Sequence, residues 1–178
     1  GLTFPQILHA AIDTGIAAGA LQAAVEYLRE HARAWVESGV ERASDEPHVI
    51  RQIGEYAVAL RGAESVLREA ARVFDDHERD PENKALQDEL ILSVATARAH
   101  SDAASLKISS DLFSLLGASA SLSKWNLDRF WRNARVHTTH DPIRWRLHNV
   151  GNYYLNGADP GEYTAVLNAK ETQGATRR

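Results

Sequence analysis

Apolar residues at Leu8, Ile12, Leu21, Val25, Leu28 and Trp35 recur at steps of three, four or seven, apart from one nine-residue gap. That is the period of one helix face and predicts a helix over roughly 5–36. Gly15, Gly19 and Ala23 add a stripe of small residues, which permits close helix approach although glycine weakens a helix by about 1 kcal/mol relative to alanine. At Ser44-Asp45-Glu46-Pro47, capping oxygens precede a proline suited to a first helical turn. A second helix is predicted to follow, with Ile50, Ile53, Ala57, Leu60, Leu67, Ala71 and Phe74 on its apolar face. The same signal at Asp80-Pro81-Glu82 opens a third helix, through Leu86, Leu90, Val94, Ala97, Ala104, Ile108 and Leu112 to a stop at Gly117. Residues 126–137 are helical in pattern. Pro142 disfavours the helical conformation at Asp141, so a bend is predicted there. Helical spacing resumes from Ile143 to Leu155 and ends at Asn156-Gly157. No strand-like alternation competes. Long helices on short loops predict an all-α, antiparallel four-helix bundle over 1–168, with a polar, disordered tail over 169–178.

Composition narrows this picture without redirecting it. The chain has 178 residues, 44% hydrophobic and 25% charged, the size of one domain with apolar side chains for a core. A formal charge of -4 gives no global reason to expect nucleic acid or an anionic membrane as partner. With no cysteine, disulfides and thiolate metal sites are excluded, and a cytoplasmic location fits. The longest uncharged stretch near the start, Thr14 to Val25, is twelve residues, against about 20 for a bilayer span. No secretory signal is visible. The chain opens on Gly1 without an initiator methionine, as a processed protein or a piece of a longer one would.

Candidate chemistry concentrates late. Between Lys124 and His148 six Lys or Arg residues face two Asp. Arg129, Arg132 and Arg135 repeat every three residues as a basic ridge able to meet phosphates or carboxylates. A solvated face or a salt-bridge network is the plainer account. Nucleic acid is a third, with Phe130 and Trp131 as stacking platforms, but no known nucleic-acid motif accompanies them. His137, His140 and Asp141 stand at i, i+3 and i+4, which one helical turn would bring to one side. Imidazole exchanges protons near neutral pH, and a neighbouring carboxylate fixes its tautomer. Two histidines and an aspartate can also bind zinc, although the usual helical pair is spaced i, i+4. Alternatively, the histidines cap a broken helix end.

Arg132-Asn133-Ala134-Arg135 followed by Thr139-His140-Asp141-Pro142 resembles the late acyl-CoA dehydrogenase pattern of Arg-Asp-Ala-Arg, then Ile-Tyr-Glu-Gly. The glutamate there is the base that removes a substrate proton. Here Asp141 is one methylene shorter and precedes proline; misplacing a base by about 1 Å costs on the order of a hundredfold. The stretch Arg129 to Pro142, with Val150-Gly151 and Leu155-Asn156-Gly157, is closer to the flavin monooxygenases of that fold, the dibenzothiophene monooxygenase and sulfur-acquisition group. The resemblance extends through Asp45 to Arg51 and Lys107 to Ser110.

That resemblance implies a two-component monooxygenase. A separate reductase supplies reduced FMN, and a C4a-hydroperoxyflavin oxygenates a small organosulfur substrate. It implies His140 at the flavin, supported by Asp141 and His137. Arg33 would be the flavin-phosphate ligand, reaching a neighbouring subunit's cofactor, with the loop Gly117-Ala118-Ser119 nearby. Ser119 would bond a phosphate or simply turn the chain. FAD is the alternative cofactor and acyl-CoA dehydrogenation the alternative activity. Ser114 and Ala118 replace the glutamine and second glycine of the dehydrogenase loop, which favours FMN. The resemblance further implies a homotetramer and, ahead of this chain, an N-terminal helical domain and a middle β domain. Without those domains the chain alone is expected to be inactive and to bind FMN weakly. A helical oligomerisation domain without chemistry is the remaining reading.

Overall fold

In the computed structural model, which describes residues 3–162, α1 (Thr3–Glu30), α2 (Pro47–Arg79) and α3 (Lys84–Leu116) are long, and α4 (Asp128–Thr138) and α5 (Ile143–Asn156) are short. Two apolar clusters fix their directions. Ile7 and Ala10 of α1 pack with Ala70 and Val73 of α2 and with Leu90, Val94 and Ala97 of α3. Toward the other end Ala17, Ala24 and Leu28 meet Val49, Tyr56 and Ala63, and Ala104, Ile108 and Leu112. So α1 and α3 run one way and α2 the other. α4 returns along α1, with Phe130 against Gly19 and His137 against His9. α5 continues down α3 after the break at Pro142. The result is the antiparallel bundle read from the sequence, its fourth member interrupted. The tail 169–178 lies outside the described residues.

Which face of α1 is buried differs from the expected one. Leu8, Ile12 and Trp35 are exposed, Ile12 by 51%. The buried stripe is Ile7, Ala10, Asp13, Thr14, Ala17, Ala20, Ala24, Tyr27 and Leu28. Alanines bring the axes close, and the bulkier chains are left on the flank. α2 behaves alike: Val49, Tyr56, Ala63 and Ala70 are buried at strict seven-residue steps, while Ile50 is exposed and Ile53, Leu60, Leu67 and Phe74 pack at the margins. The α3 face is as expected, extended by buried Ser101, Ser105 and Ser109. Their hydroxyls donate to their own helix, at Arg98 O, Asp102 O and Leu106 O, so a polar residue fits the core without an orphaned group.

Two boundaries and one cap also differ, while α2 begins at Pro47 as expected. α1 stops at Glu30 instead of Val36, because the chain turns into an antiparallel bridge between Arg33 and Arg42 around Gly39, φ 70°. Asp45 does not cap α2; its carboxylate takes Arg42 at 2.9 and 3.0 Å. α3 is capped by Asn83, whose Oδ1 accepts from Ala85 N and Leu86 N, with Pro81 in the turn before it. Gly117, Pro142 and Gly157 stand where the sequence places the breaks. By length and composition α1 could cross a membrane, but it is packed into the bundle and carries the buried Asp13.

Of the two glycines in the small-residue stripe, Gly19 is the one that meets a neighbour closely. A Cβ there would stand 2.9 Å from the Phe130 ring, whereas Gly15 has open space. Gly19→Val should therefore lower stability by about 1–3 kcal/mol, read as a fall in the urea midpoint, while Gly15→Ala should not.

Candidate functional site

α1 carries His9 and Asp13 one turn apart, and α3 carries Arg98 and Asp102 one turn apart; α4 lays His137 across them. The Asp13 carboxylate accepts from His137 Nδ1–H at 2.7 Å. His137 Nε2 is thereby left to accept from His9 Nδ1–H at 2.8 Å. His140 lies outside this chain of bonds, its ring stacked on that of His9 at 4.9 Å and 26°. Behind Asp13 is a charge cluster away from water. Arg98 is 1% exposed, Asp13 0% and Asp102 4%. The guanidinium stands 3.6 Å from Asp13 and 3.5 Å from Asp102, too long for hydrogen bonds. Its three nitrogens, Asp13 Oδ2 and both Asp102 oxygens have no hydrogen-bond partner.

This setting shifts two groups. Burial pushes the Asp102 carboxyl up to about 7; Arg98 opposes the rise, and Asp13 and Asp141 add to it. Burial lowers His9, as do the charges of His137, Arg98 and His140, against a smaller pull from Asp13.

The expected trio is thus brought together in part. His137 and His140 both face His9. Asp141 turns instead to Arg146, whose Nε and Nη2 donate to its Oδ2 at 3.1 and 2.6 Å. Among the described residues no three His, Asp or Glu side chains are arranged to hold a metal ion. The basic ridge is used locally: Arg129 donates to Asn126 O and lies over Phe130, and Arg132 pairs with Asp128.

The expected phosphate residues are at the opposite end of the bundle. α1 runs from His9 to Glu30, roughly 30 Å at its rise per residue, before the chain reaches Arg33. Arg33 is exposed and without an ion-pair partner among the described residues. Gly117, with φ 80°, ends α3 near that end and leads into the exposed Ala118 and Ser119. A guanidinium and a loop hydroxyl are donors suited to a phosphate. His9, Asp13, Arg98 and Asp102 had no place in the sequence reading. Their trace was two charged i, i+4 pairs, each set on a helix face otherwise made of Ala, Ser and aliphatic residues.

Comparison with known proteins places these features in a lineage. The family profile "Acyl-CoA dehydrogenase, C-terminal domain" matches residues 7–145. Dibenzothiophene monooxygenase of Rhodococcus erythropolis is 40% identical over 160 residues, covering 87% of this chain and 38% of that protein. The structure of TdsC from Paenibacillus sp. A11-2 with FMN and indole matches with a TM-score of 0.83 and 34% identity, over 89% of this chain and 40% of that one. Methanesulfinate monooxygenase MsuC from Pseudomonas fluorescens matches with a TM-score of 0.84 and 33% identity, over 88% and 41%. The chain therefore spans about two fifths of the length of these relatives.

Proposed function

The chain belongs to the acyl-CoA dehydrogenase C-terminal domain family, and from that membership we propose that it is the helical part of a two-component monooxygenase. The enzyme would use reduced FMN from a separate reductase to oxygenate a small organosulfur compound. The observation that carries this reading is the pairing at the α4–α5 break. Where a dehydrogenase-type base would stand, Asp141 is occupied by Arg146, and the exposed His140 rests on His9 instead. A carboxylate held by a guanidinium is a poor proton acceptor. An exposed imidazole is a good donor or acceptor near neutral pH. The relatives named above, which act on sulfur compounds by their names, support the substrate class.

Reduced FMN would supply the activated oxygen, as a C4a-hydroperoxide. This chain's part would be to hold and protonate. Arg33 and the Gly117-Ala118-Ser119 loop would take the phosphate. His140 would hydrogen-bond at the reactive edge of the ring, with His137 fixed behind it through His9. Since Arg33 and His140 stand at opposite ends of one bundle, a single chain cannot bring both to one flavin. A homotetramer in which Arg33 serves a neighbouring subunit's site accounts for that separation, and the exposed Leu8, Ile12, Ile50 and Val58 supply apolar surface for it.

The deciding experiment uses the full-length protein. With reduced FMN, oxygen and a thiophene-type substrate, a product one oxygen heavier is expected by mass spectrometry. Bleaching of bound flavin by an acyl-CoA without oxygen would overturn the reading in favour of dehydrogenation.

A further inference from the structure

Five polar side chains from three helices form one line, Asp102, Arg98, Asp13, His137 and His9 in order. Two features of it exceed what holding a bundle together requires. First, Asp13 and Asp102 flank the same guanidinium, at 3.6 and 3.5 Å. Yet Asp13 Oδ2 and both oxygens of Asp102 lack a donor. Two carboxylates so placed are satisfied by one proton held between them, which also leaves one negative charge for one Arg98. Second, the line does not end inside. Asp13 Oδ1 continues to His137 Nδ1 and His137 Nε2 to His9 Nδ1, and the half-buried His9 reaches the surface beside His140.

We propose that Asp13 and Asp102 form an acid pair sharing one proton, and that His137 and His9 connect this buried proton store to the surface next to His140. A proton arriving at His9 Nε2 sends the His9 Nδ1 proton to His137 Nε2. The His137 Nδ1 proton then passes to Asp13 Oδ1, so that a pair that had lost its shared proton regains it. The reverse sequence delivers one proton outward. The charged and titratable groups facing the line are His9 and Asp13 from α1, Arg98 and Asp102 from α3, His137 from α4, His140 and Asp141 from the break, and Arg146 from α5. In this scheme His9 and His137 carry the proton, and Asp13 with Asp102 stores it. The relay rests on the flavin reading only for its destination.

Infrared spectroscopy of the full chain, without flavin, tests it. A carboxylic-acid C=O band that shifts in D2O and titrates near neutral pH is expected, and Asp102→Asn should remove it. After a pH jump, His9→Gln should retain the band but slow its change by about tenfold or more. No such band anywhere between about pH 5 and 8, well above the ordinary carboxyl range, would overturn the acid pair whatever the variants do. An unchanged rate in His9→Gln would overturn the connection. Because no cofactor is involved, a failure of the monooxygenase reading would leave these results standing.

Discussion

Arg98→Ala should destabilise the bundle by about 3–5 kcal/mol at neutral pH, the typical cost of removing one partner from a buried ion pair. The guanidinium is the only cation placed against Asp13 and Asp102 inside the core among the described residues. Without it a carboxylate charge shared by that pair has no compensation. The lost side chain is also among the largest fully buried ones, so a cavity adds to the loss. The pH dependence has a definite sign. The Asp102 carboxyl is raised from 3.8 to about 7, so between those values the folded chain binds more protons than the unfolded one. Its contribution to stability is full below the unfolded value and is lost as pH rises through about 7, at no more than about 1.4 kcal/mol per pH unit. Arg98 holds this carboxyl down, so its removal moves the folded value higher still. The variant's defect should therefore shrink on acidification, as the Asp102 carboxyl takes up its proton. Urea midpoints for both proteins across this range measure it. A defect below about 1 kcal/mol at neutral pH, or one that grows on acidification, would show that the cluster is solvated.

The same cluster marks the boundary of what the sequence discloses. Helix number, the breaks at Gly117, Pro142 and Gly157, and the α3 face follow from spacing and from residues whose backbone preferences are local. The buried faces of α1 and α2 do not. Size-weighted patterning selects Leu8, Ile12 and Ile50, whereas close approach selects Ala10, Ala17, Ala63 and Ala70, which expose the same period with less contrast. Arg98 and Asp102 were hidden for a related reason. A charged pair at i, i+4 reads as a solvated surface pair, and only the α1 partner Asp13, 85 positions away by the numbering of Arg98, turns it inward. His137, His140 and Asp141 were legible as chemistry, but their partners His9 and Arg146 were not. Which imidazole nitrogen is engaged depends on contacts between helices, and a single helix pattern contains none of that.

Under the proposed function, His140→Ala in the full-length protein should lower turnover by about 10²- to 10⁴-fold, the usual contribution of a positioned acid or base. Stability should hardly change, because His140 is exposed and its ring contact is with His9 alone among the described residues. The informative comparison is Asp141→Asn. A dehydrogenase needs a carboxylate at the break, and the loss there would equal or exceed that of His140→Ala. In the observed geometry Asp141 spends its Oδ2 on two donors of Arg146, so its role is to fix the start of α5 and the backbone that presents His140. The amide of asparagine retains one acceptor for Arg146, and turnover should fall by no more than about tenfold, with the thermal midpoint reporting most of the change. Rates of oxygenated product formed at saturating reduced FMN, beside melting curves of each variant, separate the two orders. If Asp141→Asn is the more damaging in rate while remaining folded, the carboxylate is the base and the histidine is scaffolding.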